Sequence, residues 1–182
     1  MPTIICDTRQ KLKHHEAKER YFQEHGFRIL HSKLPCGDYS MLDNMSIVID
    51  TKQDLQECVN NICGAEHERF RRECLLAQEN GIKLIVLVEE DQTDDNGRYV
   101  VNSLADVKNW YNPRRSIFVR KNINGTWRRV QKYPNATNGN TLMKAMITMQ
   151  TKYGVEFQFC RKKDAGRRII ELLRGTQDEE RE

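Results

Sequence analysis

A short apolar run that ends in charged residues restricts how this chain can fold. Residues 47–49 are Ile, Val and Ile, and they are followed by Asp50, a threonine and Lys52. Short apolar runs flanked by turn residues are typical of buried strands, and successive side chains on a strand point to opposite faces. Asp50 and Lys52 are two positions apart, so we expect both side chains on one face at the end of a buried strand. An acidic and a basic side chain on one face can form part of a catalytic site, although an exposed strand end is often charged as well.

A second carboxylate lies close to this strand in the sequence. Asp38 lies at the start of the predicted strand 37–42, which a turn at residues 43–44 connects to the antiparallel strand 46–52. Two carboxylates on neighbouring strands can hold a hard cation such as Mg²⁺, which polarises a phosphate and helps to ionise a water. A lysine beside them adds positive charge where negative charge develops. Each feature alone has a simpler explanation, as a charged strand end or a turn residue, but together they favour a metal-dependent phosphodiester hydrolase.

The order of these motifs resembles the nuclease domain of the XPF-type (ERCC4-like) structure-specific endonucleases, within the PD-(D/E)xK superfamily. In that family a strand ends in D-x-R-E, a G-D-Y follows, and E-R-K comes next with an acidic residue shortly beyond. The matching segments here are Asp7-Thr8-Arg9-Gln10, Gly37-Asp38-Tyr39 and Asp50-Thr51-Lys52, followed by Asp54. The likeness continues through the following helix and strand and covers most of the chain.

The chain departs from the family pattern at four positions. Asp50 stands where the family usually has Glu, Thr51 replaces Arg, Gln10 replaces Glu, and Asp54 lies nearer to the lysine than usual. An Asp in place of Glu keeps a carboxylate ligand with a shorter reach. The sequence up to residue 182 contains no counterpart of the family's paired helix-hairpin-helix DNA-binding domain. We therefore expect a stand-alone version of the nuclease domain, of the kind that bacteriophages and mobile elements carry.

The resemblance implies a fold and a set of site residues. The fold is α/β and restriction-endonuclease-like, with a central mixed β-sheet flanked by helices. A single nuclease domain is expected over residues 1–176, with a loop and hairpin insertion at 91–140 and a disordered tail at 177–182. By resemblance, Asp38, Asp50 and the main-chain carbonyl of Thr51 bind Mg²⁺ or Mn²⁺. Lys52 orients or deprotonates the attacking water, and Asp7 supports the metal site.

Two groups of arginines are candidates for DNA contacts. Arg69 and Arg72 are three positions apart on a predicted helix and so share a face, and the resemblance places this helix beside the active site. Arg128 and Arg129 lie on a predicted hairpin, where basic residues interleaved with Trp127 suit a phosphate backbone and stacking on a splayed base. The alternative for both groups is an ordinary solvated surface.

The remaining segments alternate between predicted helices and strands. Helices are expected at residues 11–25, 53–63, 66–80, 103–110, 141–153 and 163–174, with Ser103 and Thr141 as N-caps of two of them. Further strands are expected at 3–6, 27–34, 82–88 and 155–159, and a hairpin pairs 116–120 with 126–130 across an Asn-Gly turn. Segment 27–34 is expected to form a three-stranded meander with the next two strands. Glu89 and Glu90 are interpreted as the point where strand 82–88 emerges into solvent.

Composition limits the function classes. The 182 residues carry a net charge of +4, which permits nucleic-acid binding without requiring it. The six cysteines form no C-x-x-C pair, which favours reduced thiols and a cytoplasmic protein, in the host cytoplasm if a phage encodes it. No apolar run is long enough to span a membrane, and no secretory signal is present.

The expected partner is DNA. The sequence leaves open whether the chain also forms a homodimer. The leading hypothesis is a DNA endonuclease acting on branched or otherwise structured DNA, and the alternative is a catalytically inactive DNA-binding scaffold of the same fold.

Overall fold

Strands and helices alternate along the computed structural model, which describes residues 1–9 and 15–175. The strands are β1 (Thr3–Cys6), β2 (Arg28–His31), β3 (Tyr39–Met41), β4 (Ile47–Lys52), β5 (Lys83–Glu89), β6 (Phe118–Ile123), β7 (Thr126–Gln131) and β8 (Glu156–Cys160). The helices are α1 (Glu16–Glu24), α2 (Leu55–Ile62), α3 (His67–Glu79), α4 (Gly139–Tyr153) and α5 (Ala165–Arg174). Short 3₁₀ helices cover Leu104–Asn109, Pro113–Ser116 and Lys162–Asp164.

The central sheet has six strands in the order β2-β1-β3-β4-β5-β8. Strands β1 and β3 pair antiparallel, as do β3 and β4, whereas β1–β2, β4–β5 and β5–β8 are parallel. Strands β6 and β7 form a separate two-stranded sheet. The expected α/β fold with a central mixed sheet flanked by helices is confirmed.

Alternating side chains of the central strands build a core on each face of the sheet. Val48 and Val86 pack on one face, in a cluster that includes residues of α2, α3 and α4. Ile49 and Ile85 pack on the other face, in a cluster that includes Phe22 and residues of α5. Helices therefore cover both faces, which is why β5 is a continuous apolar run rather than an alternating one. This packing holds the end of β4 rigidly in the middle of the sheet.

The predicted three-stranded meander is wrong. Strand β2 does not pair with β3, because β1 lies between them and pairs with both. The crossover through α1 makes β2 parallel to β1 and buries Phe22 against the sheet. The β3–β4 hairpin was predicted correctly because its turn is local, whereas the edge position of β2 depends on contacts distant in sequence.

One of the two predicted helix caps, Thr141, is wrong. Helix α4 is capped by Asn138, whose side chain accepts a hydrogen bond from the backbone N–H of Thr141 at 2.9 Å. Ser103 does occupy the N-cap position of the 3₁₀ helix Leu104–Asn109, but its hydroxyl donates to the Asp106 carboxylate instead of accepting from the backbone. At the start of α2, Asp54 is the N-cap and accepts from the backbone N–H of Glu57 at 2.8 Å.

The two glutamates at the end of β5 are buried, contrary to the sequence interpretation. Each is 6% exposed. Glu89 forms an ion pair with Lys18 of α1 at 2.6 Å, and Glu90 accepts hydrogen bonds from the backbone N–H groups of Leu55 and Gln92. They fasten α1 and α2 to the sheet, a function that their position at a strand end could not indicate.

Some predictions fall on parts of the chain outside the described residues. The predicted helix 11–25 is described only from residue 15 onward, where α1 begins at Glu16. Gln10 and the predicted tail 177–182 also lie outside these residues. Within the described ranges, none of the helices is sufficiently long and apolar to cross a membrane. All six cysteines are free thiols.

Candidate active site

The ends of the central strands open into a cavity of about 840 Å³. Asp7 follows β1, Asp38 precedes β3, and Asp50 and Lys52 lie on β4, so the topology brings three separate segments of the chain together at one end of the strands. The cavity is also lined by Thr51 and by residues of α3. The candidate catalytic and metal-binding residues predicted from the sequence therefore lie together.

Asp50 and Lys52 form a buried ion pair. Each residue is 5% exposed, and Lys52 Nζ lies 2.7 Å from Asp50 Oδ2. Burial alone would lower the pKa of Lys52, but the charge and hydrogen bond of Asp50, with the charges of Asp38 and Glu57, together outweigh burial and hold that pKa above its usual range. Lys52 is thus protonated in this arrangement. Apart from the ion pair, Asp50 Oδ2 accepts no hydrogen bond from the described part of the chain.

Asp38 is held beside this pair by the backbone of β4. Its Oδ2 accepts hydrogen bonds from the N–H of Thr51 at 2.7 Å and from the Thr51 hydroxyl at 2.5 Å. Burial, followed by the negative charge of Asp50, raises the pKa of Asp38 to about 8. Two carboxylates in one buried site repel each other unless a proton or a cation lies between them.

A close backbone approach positions Asp38. Gly37 has φ +62°, and a Cβ at this position would lie 2.5 Å from the Val48 side chain and 3.0 Å from the carbonyl oxygen of Ile49. The N–H of Asp38 donates to that same carbonyl at 2.7 Å. Only glycine fits here, which explains why the carboxylate directly follows a glycine.

Asp7 is engaged by its neighbours. Its two carboxylate oxygens accept hydrogen bonds from the backbone and guanidinium of Arg9 and from the N–H of Leu34 at 2.7–2.8 Å. Burial would raise the pKa of Asp7, but these hydrogen bonds outweigh burial and hold that pKa below its usual value. The backbone N–H of Asp7 donates to the carbonyl of Asp38 at 2.9 Å. Asp7 therefore fixes the loop that carries Asp38.

Sequence reasoning missed a further carboxylate in the cavity, Glu73 of α3. Its Oε1 accepts a hydrogen bond from the N–H of Gly37 at 2.7 Å. Burial, then the charge of Asp50, raises the pKa of Glu73. The available signal was helical spacing, because Arg69 and Glu73 are four positions apart and share a face.

The arginine candidates are divided between two places. Arg69 and Arg72 are exposed on α3 and line the cavity. Arg69 Nε lies 2.7 Å from a Glu66 carboxylate oxygen in a solvent-exposed ion pair, which is a weak interaction in water. Arg128 and Arg129 lie on β7 in the separate hairpin and do not line this cavity.

The oxygen ligands in the cavity fit a hard divalent cation. Asp38, Asp50 and the Thr51 carbonyl offer the carboxylate and carbonyl oxygens that Mg²⁺ and Mn²⁺ prefer. Lys52 already pairs with Asp50 Oδ2 at 2.7 Å, but the raised pKa of Asp38 beside the charge of Asp50 indicates that the site still has too little positive charge. A cation bound here would supply that charge.

Comparison with known proteins identifies the family of the domain. A family model described as "ERCC4 domain" matches residues 6–173. The solved structure of XPF from Aeropyrum pernix is 16% identical with a TM-score of 0.57, and the match covers 96% of this chain and 66% of that chain. The structure of the same protein in complex with DNA gives 16% identity and a TM-score of 0.57, with 96% and 64% covered. The chain thus spans just under two thirds of the length of these XPF chains. The search of curated proteins gave no match.

Proposed function

Because the chain belongs to the ERCC4 domain family, we propose that it is a metal-dependent DNA endonuclease that hydrolyses phosphodiester bonds in branched or otherwise structured DNA. The observation that carries this proposal is the buried Asp50–Lys52 pair beside Asp38, open to a cavity of about 840 Å³. Such a pair is costly to bury. A site retained at this cost is expected to have a chemical use.

Asp38, Asp50 and the main-chain carbonyl of Thr51 are the proposed ligands of Mg²⁺ or Mn²⁺. When bound, the cation supplies a Lewis acid that polarises the phosphate and lowers the pKa of a water. The hydrogen bonds from Thr51 hold Asp38 in the geometry that ligation requires. Asp7 keeps the Asp38 loop in place from the other side.

Lys52 orients the attacking water and balances the negative charge that develops on the phosphate. Of the two functions expected from the sequence, orientation is favoured over deprotonation, because Asp50 keeps Lys52 protonated. A fixed ammonium group in a buried site stabilises developing charge without reorganising during the reaction. Glu73 lies one turn of α3 away from Arg69 and also lines the cavity, where it is proposed to support the metal site.

Arg69 and Arg72 are proposed to contact the DNA backbone at the rim of the cavity. Both are exposed and line the cavity, and arginine suits phosphate oxygens. One of the two similar XPF structures is a complex with DNA, which supports DNA as the substrate class. We also propose a cytoplasmic site of action, in the host cytoplasm if a phage encodes the chain, since all six cysteines are free.

The alternative is a DNA-binding scaffold of the same fold that has lost catalysis. The presence of Asp7, Asp38, Asp50 and Lys52 around one cavity argues against this alternative, because a site without use is free to lose any of them.

The test is cleavage of labelled fork, flap, four-way junction and linear duplex DNA in Mg²⁺, in Mn²⁺ and in excess chelator. We expect cleavage of at least one branched substrate with either ion, none in chelator, and none by Asp50→Asn, because an amide is a poor ligand for a divalent cation. Undiminished cleavage in chelator would eliminate the two-carboxylate site. DNA binding by the parent chain without cleavage under any of these conditions would support the scaffold.

A further inference from the structure

The positive charge of the chain is concentrated in one continuous segment. Residues 107–155 contain ten Lys and Arg residues and no Asp or Glu, giving +10, while the other 133 residues contain 20 basic and 26 acidic residues, giving −6. The modest net charge of +4 therefore hides two regions of opposite sign. A segment of this kind creates a positive field that attracts a polyanion.

The β6–β7 hairpin is the most exposed part of this basic segment. It forms its own two-stranded sheet, and along its two strands only Val119, Val130 and Gln131 are partly buried. Isolated two-stranded hairpins are marginally stable in water.

Like charges face each other across the two strands. Arg120 pairs directly with Arg129, and Lys121 pairs directly with Arg128. Like charges at opposed positions are destabilising, and no carboxylate within residues 1–9 and 15–175 forms an ion pair with any of the four. The hairpin thus retains a repulsion that bound phosphate groups would relieve.

The register divides the hairpin into two chemically different faces. Paired residues and residues two apart share a face, so Arg128 and Arg129 point to opposite sides. The aromatic face carries Phe118, Arg120, Asn122, Trp127, Arg129 and Gln131. The aliphatic face carries Val119, Lys121, Ile123, Thr126, Arg128 and Val130. At the base of the hairpin, the Val119–Val130 pair of the aliphatic face and Gln131 of the aromatic face are half-buried.

On the aromatic face, an exposed indole at the turn end of the hairpin lies next to the Arg120–Arg129 pair. Trp127 is 62% exposed, and the guanidinium of Arg129 lies 4.5 Å from the centre of the Phe118 ring. Exposed tryptophan among arginines is a typical arrangement in proteins that bind single strands, where bases stack on the rings and cations follow the backbone. In a duplex the bases are stacked on one another, so the indole has a partner only where bases are unpaired.

We propose that the aromatic face binds an unpaired strand of the DNA substrate, with Trp127 stacked on a base and Arg120 and Arg129 on the adjoining phosphates. The aliphatic face contributes only long-range attraction. This inference rests on the proposed function in one respect: it supplies the element that distinguishes branched DNA, which has unpaired arms, from plain duplex.

The test measures binding in excess chelator, where the proposed cleavage does not occur, by anisotropy of three labelled DNAs: a thymine oligonucleotide, a fork with single-stranded arms and a blunt duplex. Trp127→Ala should weaken binding of the oligonucleotide and the fork by roughly tenfold and leave duplex binding within about twofold. Trp127→Phe should retain most of the affinity, because a phenyl ring also stacks on a base.

Arg129→Ala and Arg128→Ala form a matched pair that separates the two faces. They remove the same side chain from adjacent positions of one strand, so any general effect of charge is equal. Arg129→Ala should weaken oligonucleotide binding several-fold and lower its salt slope by about one unit, while Arg128→Ala should change affinity by less than about twofold. Equal effects would overturn the assignment to one face.

Intrinsic fluorescence supplies an independent measurement. The chain has two tryptophans, and Trp110 is 4% exposed in the core, so quenching by an unlabelled thymine oligonucleotide reports on Trp127. The quenching should disappear in Trp127→Phe. Quenching that persists, or an equal loss of duplex and single-strand affinity in Trp127→Ala, would overturn the proposal, and so would concentration-dependent dimerisation that Trp127→Ala abolishes. Cleavage is not measured in any of these experiments, so a failure here and a failure of the endonuclease proposal are distinguishable.

Discussion

Among single residues, Lys52 carries the sharpest test, because its ammonium group is both a structural partner and a proposed catalytic group. Lys52→Ala leaves the Asp50 carboxylate buried and uncompensated, which should lower the free energy of unfolding by about 3–5 kcal/mol in chelator. It should also tighten binding of Mg²⁺ by removing a nearby like charge. Cleavage should nevertheless fall by about 10²–10³-fold, the loss expected when one preorganised group that stabilises developing charge is removed. Urea unfolding, calorimetric metal titration and cleavage rates measure the three effects.

Lys83→Ala is the matched control, because it also removes a lysine from an ion pair but at a position outside the cavity. Lys83 lies 2.7 Å from Glu156 in a half-exposed pair, so its removal should cost less than about 1 kcal/mol and leave cleavage unchanged. If Lys52→Ala cuts DNA as fast as the parent, the lysine is only a structural charge and the proposed mechanism is wrong.

Glu73 provides a second test at a single position, because Gln preserves its shape and its hydrogen bond. In Glu73→Gln the amide oxygen can still accept from Gly37, so folding should be unaffected. Affinity for the divalent cation should fall by about 10–100-fold, the range seen when a residue that supports a metal site is changed. Calorimetric titration of the parent and the variant measures this loss. Unchanged metal affinity would restrict Glu73 to holding the Gly37 loop.

Among the structural elements, the segment that follows β5 depends on one side chain from the end of β8. The Arg161 guanidinium donates to the carbonyl oxygens of Glu90 at 2.5 Å and Val101 at 2.9 Å, and lies 3.6 Å from the centre of the Tyr99 ring. Arg161→Lys keeps the charge but loses the planar fork, so carbonyl groups lose their donors at a cost of about 1–3 kcal/mol. In Arg161→Lys, backbone amide hydrogen exchange should become faster within residues 92–102. The exposed neighbour Lys163→Ala should leave that exchange unchanged.

Local signals explain which elements the sequence predicted. The β3–β4 and β6–β7 hairpins were found because each turn lies between its own strands, and the Asn124-Gly125 turn has the positive φ angles that its residues favour. The edge position of β2 and the burial of Glu89 depend on α1, which packs from far along the chain. No local pattern records such contacts.

The site was predictable where residues were close in sequence or matched the family's motifs. Asp50 and Lys52 share a face because a strand has a period of two, and Asp38 was recognised by the glycine before it. Glu73 shares a helix face with Arg69, but its contact with Gly37 joins residues 36 positions apart, which no local pattern indicates. The opposed directions of Arg128 and Arg129 follow from the same period of two, so adjacent positions on this strand cannot bind the same phosphate groups.

For the molecule as a whole, the buried carboxylates couple folding to pH and to metal. The pKa of Asp38 is raised to about 8 by burial and by Asp50, while in the unfolded chain an Asp titrates near pH 4, about its usual value. Between these values the folded protein holds a proton that the unfolded chain has lost. Raising the pH therefore favours unfolding, and stability that is fully present below about pH 4 is lost as the pH rises toward 8.

The last prediction is that metal-free protein loses stability from pH 5 to pH 8 with a slope of up to about 1.4 kcal/mol per pH unit for each retained proton. Asp38→Asn should flatten the slope, because the amide cannot ionise but its oxygen can still accept from Thr51. Glu73, whose pKa is also raised, should account for what remains. Excess Mg²⁺ should abolish the slope in the parent, since a bound cation favours the ionised carboxylates. Urea unfolding of both proteins at four pH values, in chelator and in Mg²⁺, measures the dependence of the free energy of unfolding on pH. If this dependence is the same in the parent and in Asp38→Asn, Asp38 is already ionised in the metal-free site.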